Sequence, residues 1–107
     1  MEFKELLPLG SVIQLPGALK KLMIIGYKVA HKDKPEEFFD YIGVLFPEGF
    51  IGQQTVLFNH AEINDVIFTG YENPEREYFM DFLDDHVDEL MNSEFKQSED
   101  SEPFKKD

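Results

Sequence analysis

Three histidines and one serine are the residues that could support acid–base or nucleophilic chemistry. His31 lies in a polar stretch, His60 in a short turn and His86 in a helical pattern, so the three share no spacing. His60 and Glu62 pair a base with a carboxylate, but Glu62 also completes a capping pattern, and Ser11 has no base near it in sequence. Because no nucleophile–base–oxyanion set emerges, we expect structural roles for the histidines, no catalytic residue and no enzyme activity.

A row of carboxylates on the predicted C-terminal helix offers the oxygen ligands that hard cations prefer. The row comprises Asp81, Asp84, Asp85 and Asp88. Carboxylates along a straight helix diverge, whereas a Ca²⁺ site gathers its ligands from a loop, so we expect no metal here and interpret the row as a recognition surface. The chain has no cysteine, and no glycine-rich segment opens a helix, so we expect no cofactor.

The charge balance limits the classes of partner. The 107 residues include 10 basic and 22 acidic side chains, a net charge of −12 on a chain sized for one hydrophobic core. Residues 1–35 carry six Lys against three acids, or +3, and the remainder carries four basic residues against 19 acids, or −15. The acidic balance disfavours nucleic acid. Without a long apolar run or a signal-peptide layout, we expect a cytoplasmic protein with no membrane insertion.

Five short apolar runs separated by turn residues predict five β-strands. They span 12–15, 21–29, 40–46, 55–58 and 65–69. We expect a bulge at Gly26 and a polar loop over 30–37. Asn59 and Glu62 form a capping-box pattern, which predicts one 3₁₀ turn between the last two strands. This order is typical of an α+β fold: a five-stranded antiparallel SH3-like small barrel, or a curled sheet, with a C-terminal helix.

The helical pattern begins at Asn73 and Pro74, an N-cap followed by a proline at the first helical position. An apolar stripe follows at Phe79, Phe82, Leu83, Val87 and Leu90, with His86 in the same stripe. This spacing predicts an amphipathic helix of about five turns that packs its stripe against the sheet. We therefore expect a single domain over 6–92 and a disordered acidic tail over 93–107.

The aromatic content exceeds what a small core buries. The chain has 11 Phe and 4 Tyr, and exposed apolar side chains on a small protein mark contact sites. Phe50 and Ile51 stand between Gly49 and Gly52 in a turn, where burial is hard to arrange. We predict that these two residues, together with the acidic row of the helix, form the partner-binding surface.

Four ordered blocks of sequence resemble one small uncharacterised family. They are 6–12 (LLPLGSV), 20–26 (KKLMIIG), 40–49 (DYIGV followed by PEG) and 57–71 (LFNH ahead of IFTGY). The family carries a domain-of-unknown-function label, and the resemblance runs from about Leu6 to Leu90. Its members are encoded in Gram-positive bacteria near genes for type VII (Ess/Yuk-type) secretion and LXG polymorphic toxins.

The resemblance implies a non-catalytic cytoplasmic accessory role, as a chaperone or targeting adaptor for type VII secretion of an LXG toxin. The partner would be a secreted toxin or a secretion component, and the oligomeric state stays open. An immunity protein that neutralises the adjacent toxin is the first alternative. The second is a small-barrel nucleic-acid-binding module, which would need one basic edge made of Lys20, Lys21, Lys28, Lys32 and Lys34.

Overall fold

The computed structural model describes residues 3–31, 33–52 and 54–86. A 3₁₀ turn at Phe3–Glu5 precedes the sheet, and a second at His60–Glu62 joins its last two strands. The strands and the helix are β1 (Val12–Gln14), β2 (Lys21–His31), β3 (Lys34–Phe46), β4 (Val56–Phe58), β5 (Asp65–Phe68) and α1 (Pro74–Asp85). The predicted tail over 93–107 and the predicted end of the helix lie outside the described residues.

The five strands form one antiparallel sheet in the order β4-β3-β2-β1-β5. This confirms the α+β prediction in its curled-sheet form and excludes the barrel, because β4 and β5 end as opposite edges within the described chain. In place of pairing between the edge strands β4 and β5, the second 3₁₀ turn and the residues after it connect β3 to β1. His60 N–H donates to Asp40 of β3 at 2.9 Å, and Asn64 N–H donates to the Gln14 carbonyl of β1 at 2.9 Å.

The long hairpin β2–β3 corrects the predicted loop over 30–37. Pairing continues through Val29 opposite Phe39 and Ala30 opposite Phe38, and reaches His31 opposite Lys34. The polar composition that suggested a loop reflects exposure, because Lys34, Glu36 and Glu37 are exposed although they belong to strand β3. The predicted bulge is confirmed, since the β2–β3 register shifts between Ile24 and Gly26.

The hydrophobic core lies on one face of the sheet. Its buried members are Phe3, Leu6, Ile13, Leu22, Ile24, Tyr41, Phe58 and Met80. The sheet supplies five of these residues, the N-terminal segment supplies Phe3 and Leu6, and α1 supplies Met80. The helix packs against the first 3₁₀ turn, so the two elements together cover the core face of the sheet.

Helix α1 begins as predicted but is rotated from the predicted stripe. The Asn73 side chain accepts from Arg76 N–H at 2.9 Å, which is the expected N-cap. The core receives Met80 and, in part, Leu83, whereas Phe79 and Phe82 remain 53% and 47% exposed. The prediction that Phe79 and Phe82 pack against the sheet is therefore wrong, and Val87 and Leu90 lie outside the described residues.

Two charged residues account for this rotation. Arg76 and Asp84 share the inward side of α1 with Met80 and Leu83 at helical spacing. The Arg76 Nη2 group donates to the Leu6 carbonyl at 3.0 Å, and Asp84 Oδ1 accepts from Phe3 N–H at 2.5 Å. These bonds satisfy backbone groups of the N-terminal segment, so a hydropathy pattern, which places charged residues outside, misorients the helix.

Candidate functional site

Phe50 and Ile51 lie where the sequence placed them, in the turn between β3 and β4. Gly49 and Gly52 both adopt positive φ, +79° and +72°, so glycine fits this backbone better than other residues. Phe50 is 57% exposed and Ile51 is 70% exposed. The turn thus presents two apolar side chains to solvent, and their role in binding stays a prediction.

The predicted acidic row is divided by the orientation of α1. Asp81 and Asp85 are exposed, whereas Asp84 faces inward and accepts from Phe3 N–H. Asp88 lies outside the described residues. The row therefore contributes two outward carboxylates from the described helix, and Asp84 acts in holding the N-terminal segment.

Three aromatic residues join these carboxylates on the outer side of α1. Tyr78 is 80% exposed, and Phe79 and Phe82 are about half exposed. Helical spacing places Tyr78, Asp81, Phe82 and Asp85 together, with Phe79 at their flank. We call these five residues the acid–aromatic face. His86 closes its C-terminal end, because its ring stacks on Phe82 with centroids 4.2 Å apart.

The acid–aromatic face was missed at the sequence level because Phe79 and Phe82 were predicted to pack against the sheet. One signal could have revealed it. The helix carries Tyr78, Phe79, Met80, Phe82 and Leu83, which is a wider apolar sector than one sheet contact needs. Where an apolar sector exceeds the contact available, part of it faces solvent.

The histidine at position 60 belongs to a partly buried hydrogen-bond network. Leu7 N–H donates to the Tyr41 hydroxyl at 2.9 Å, and that hydroxyl lies 2.7 Å from His60 Nδ1. The Tyr41 hydroxyl and His60 Nδ1 share this hydrogen bond, and the tautomer of the His60 ring determines which of the two donates. Tyr27 O–H donates to the Leu7 carbonyl at 2.6 Å. Burial raises the pKa of Tyr41 to about 12, so this phenol stays neutral at physiological pH.

Asp40 joins the same network to strand β2. Its Oδ2 accepts from His60 N–H at 2.9 Å, and its Oδ1 accepts from Lys28 Nζ at 3.1 Å. Burial would raise the pKa of Asp40, but the His60 N–H and the Lys28 ammonium outweigh it and hold that pKa below its ordinary value. Tyr41, His60, Asp40 and Lys28 are thus engaged with one another, and together they tie β2, β3 and the second 3₁₀ turn.

Ser11 also has a structural partner. Its hydroxyl oxygen accepts from Gly70 N–H at 2.9 Å, and its side chain is fully buried. Within the described residues, no three His, Asp or Glu side chains are grouped closely enough to hold a metal ion. No helix in that part of the chain is long and apolar enough to cross a lipid bilayer.

The lysines proposed as a basic edge do not form one surface. Lys28 points into the network and pairs with Asp40, with only 16% of its side chain exposed. Lys20 pairs with Glu48 at 2.7 Å, and this hydrogen bond lowers the pKa of Glu48. Lys21 lies beside Lys20, Lys34 is at the far end of the hairpin, and Lys32 is outside the described residues.

The face of the sheet opposite the core carries a second apolar surface. Phe68, Val12, Met23 and Val44 are successive cross-strand neighbours, and such neighbours share a face. An open groove of about 720 Å³ lies there. Its apolar lining includes Val12, Leu19, Met23, Phe46, Ile67 and Phe68, with Lys20 and Lys21 also lining it. We call it the far-face groove.

The far-face groove had a signal in the sequence that was not used. β2 reads Leu22, Met23 and Ile24 in succession, and β1 reads Val12 and Ile13, so apolar residues do not alternate with polar ones. A strand with one solvent-exposed face alternates apolar and polar residues, whereas a continuous apolar run indicates that both faces of the strand are shielded from water. The run was interpreted only as evidence for a strand, so the second apolar face was not predicted.

Fold and surfaces together define a small α+β module: a curled five-stranded sheet that packs one helix on its core face and leaves apolar side chains exposed on both sides. Comparison with known proteins agrees with the earlier resemblance at family level. Residues 6–80 match the model of a domain of unknown function, DUF4176. The chain belongs to this family. No curated protein and no solved structure matched the chain.

Proposed function

We propose that this protein is a non-catalytic cytoplasmic accessory protein, a chaperone or targeting adaptor for type VII secretion of an LXG toxin. The observation that carries the proposal is the acid–aromatic face of α1. A helix that packs Met80 and Leu83 inward while exposing Tyr78, Phe79 and Phe82 has the composition of a protein contact surface. The family resemblance implies a gene near LXG toxin genes, and this setting is the basis for proposing a toxin as the partner.

The charge of this face favours a basic partner segment. Asp81 and Asp85 flank the exposed rings, and the whole chain carries a net charge of −12. Aromatic rings provide contact area, while surrounding carboxylates accelerate encounter with a positively charged surface and disfavour acidic ones. Toxin domains that act on nucleic acid are often basic, so an acidic accessory protein would suit such cargo.

Co-expression with the toxin encoded nearby tests the proposal. We expect a stable complex from the wild-type chain and loss of the toxin from pull-downs when Tyr78→Ala and Phe82→Ala are combined. Tyr71→Ala is the matched control, because Tyr71 is 78% exposed but lies before α1. Failure to recover the toxin or any secretion component with the wild-type chain would contradict the proposal.

Deletion of the gene separates an adaptor from an immunity protein. An adaptor predicts that toxin export falls while the producing cells grow normally. An immunity protein predicts that the producer is poisoned by its own toxin, and that an inactive toxin variant relieves the growth defect. Growth arrest with unchanged export would therefore replace the adaptor role by the immunity role.

A further inference from the structure

We propose that the far-face groove is a second docking site, which binds an acidic polypeptide segment carrying large apolar side chains. This site is separate from the acid–aromatic face of α1, since α1 lies over the core face and the groove lies on the opposite face of the sheet. The inference goes beyond the adaptor role, because it assigns a second partner with the opposite charge.

The lining of the groove favours large apolar anchors. Val12 forms a buried floor, while Leu19, Phe46, Ile67 and Phe68 stand around it at 96%, 42%, 46% and 60% exposure. A volume of about 720 Å³ is in the range of sites that bury drug-sized groups, so it accommodates several large side chains. Because the groove is open, a polypeptide that continues beyond it would cover the exposed rims as well as the floor.

Two lysines give the groove its charge preference. Lys20 and Lys21 line it, in a chain whose overall charge is strongly negative. Lys20 already forms an ion pair with Glu48, whereas Lys21 has no ion pair with any described residue. A carboxylate on the ligand would pair with Lys21 and compete with Glu48 for Lys20.

The edge of the sheet beside the groove indicates how the segment binds. β5 is an edge strand whose residues are all exposed, and Ile67 and Phe68 line the groove. Its pairing with β1 skips Ile67, because Ile13 faces Val66 and Val12 faces Phe68. Such a bulge interrupts the row of backbone groups that a new strand would need. Side-chain anchors in the groove, rather than strand addition to β5, therefore carry the contact.

Selection from a displayed library of random 16-residue peptides against the full chain tests the proposal without a known partner. We expect enriched peptides to combine Asp or Glu with Leu, Ile, Phe or Trp. A synthetic copy of an enriched peptide should bind the wild-type chain and lose affinity at least tenfold when Leu19→Ser and Phe68→Ser are combined. Both side chains are mostly exposed, so both substitutions leave the core intact.

Charge variants distinguish a preference for acidic peptides from nonspecific hydrophobic binding. Lys21→Glu should weaken the peptide about three- to tenfold, and Glu48→Gln should tighten it about twofold by releasing Lys20. The double variant Tyr78→Ala and Phe82→Ala is the control and should bind the peptide as the wild type does. A wild-type chain that binds the peptide but not the toxin would contradict the adaptor role alone. A wild-type chain that binds the toxin but not the peptide would contradict the far-face groove alone.

Four results of the binding experiments would overturn the inference. They are the absence of enriched peptides, enrichment of neutral or basic sequences, equal binding to the Lys21→Glu variant, and binding of a fatty acid such as oleate in place of any peptide. A dimer in sedimentation that Phe68→Ser converts to a monomer would assign the groove to a second copy of the chain, and would equally overturn it.

Discussion

The network around Tyr41 joins parts of the chain that are far apart in sequence. The Tyr41 ring is fully buried beside Phe58, with centroids 5.3 Å apart, and its hydroxyl connects the N-terminal segment to the second 3₁₀ turn. Lys28 enters the same network from β2 and lies over the Phe3 ring, 5.7 Å from its centroid. Removing one polar member leaves other buried groups without their partners, which costs more than the bond itself contributes.

Tyr41→Phe should lower the free energy of unfolding by roughly 1–3 kcal/mol, because the Leu7 N–H and His60 Nδ1 both lose the hydroxyl while the ring packing is kept. Urea denaturation of the two proteins measures this difference. Tyr71→Phe is the control: Tyr71 is 78% exposed, and its change should stay within about 0.5 kcal/mol. Equal stability of Tyr41→Phe and wild type would show that the network does not contribute.

Lys28 carries backbone strain that a glycine would relieve. Its φ is +48°, in the left-handed region that side-chain-bearing residues avoid. Lys28→Gly and Lys28→Ala both remove the ion pair with Asp40, but only glycine adopts this conformation freely. We expect the glycine variant to be more stable than the alanine variant by about 1 kcal/mol in chemical denaturation. If the alanine variant is instead the more stable of the two, as is usual in a strand, the backbone of Lys28 is not strained.

At the scale of elements, the short strands β1 and β5 depend on the segments beside them. Ser11 precedes β1 and accepts from Gly70, which follows β5, and Ile24 N–H donates to the Ser11 carbonyl at 2.9 Å. Strands of three and four residues gain little from their own pairing. The crossing of the 9–11 and 69–71 segments therefore fixes the edge of the sheet that borders the far-face groove.

Gly70→Ala tests that crossing. A Cβ at position 70 would overlap the Leu9 carbonyl oxygen and press on Ser11 N, both of them backbone atoms that cannot turn aside. We expect a loss of about 1–3 kcal/mol in the free energy of unfolding. Thr69→Ala, at an exposed neighbouring position, should change stability by less than about 0.5 kcal/mol. A Gly70→Ala protein as stable as wild type would mean that the two segments do not approach this closely.

Most elements were predictable from local pattern, and their orientation was not. The five strands, the bulge before Gly26 and the cap at Asn73 are indicated by residue types and their local spacing, so they are visible in sequence. The hairpin was predicted too short, because exposed ladder residues and loop residues have the same polar composition. The rotation of α1 could not be predicted, because Arg76 and Asp84 find their partners about 70 and 80 positions away in the chain.

At the scale of the whole molecule, the fold separates two surfaces of different character. The acid–aromatic face of α1 and the far-face groove stand on opposite sides of one sheet. Phe50 and Ile51 extend from the loop whose Glu48 reaches Lys20 at the groove. The two proposed docking surfaces would let the module hold two partners at once, which is what the proposed adaptor role requires.

The stability of the whole fold should fall in alkali. The pKa of Tyr41 is raised from about 10 in the unfolded chain to about 12 in the fold. The unfolded chain therefore loses this proton first, and the contribution of the neutral phenol disappears as the pH rises from about 10 to about 12. The loss should reach roughly 2–3 kcal/mol at most.

Urea denaturation of wild type and Tyr41→Phe across this pH range isolates the effect from that of lysine deprotonation, which both proteins share. The two stability curves should converge as the pH rises. If they stay parallel from pH 9 to pH 12, ionisation of Tyr41 does not couple to unfolding.

The amino-acid sequence by itself determined the family, the class of fold, the order of the elements and their caps. It also placed Phe50, Ile51, Asp81 and Asp85 at the surface. These properties depend on composition and on contacts within a few residues. Only the tertiary structure decided that the sheet stays open, that Asp84 and Arg76 turn inward, and that apolar residues of β1, β2, β3 and β5 meet in a groove. Each of those outcomes depends on segments far apart in the chain. Continuous apolar runs indicate that a second face loses water, but they do not say which strands meet there.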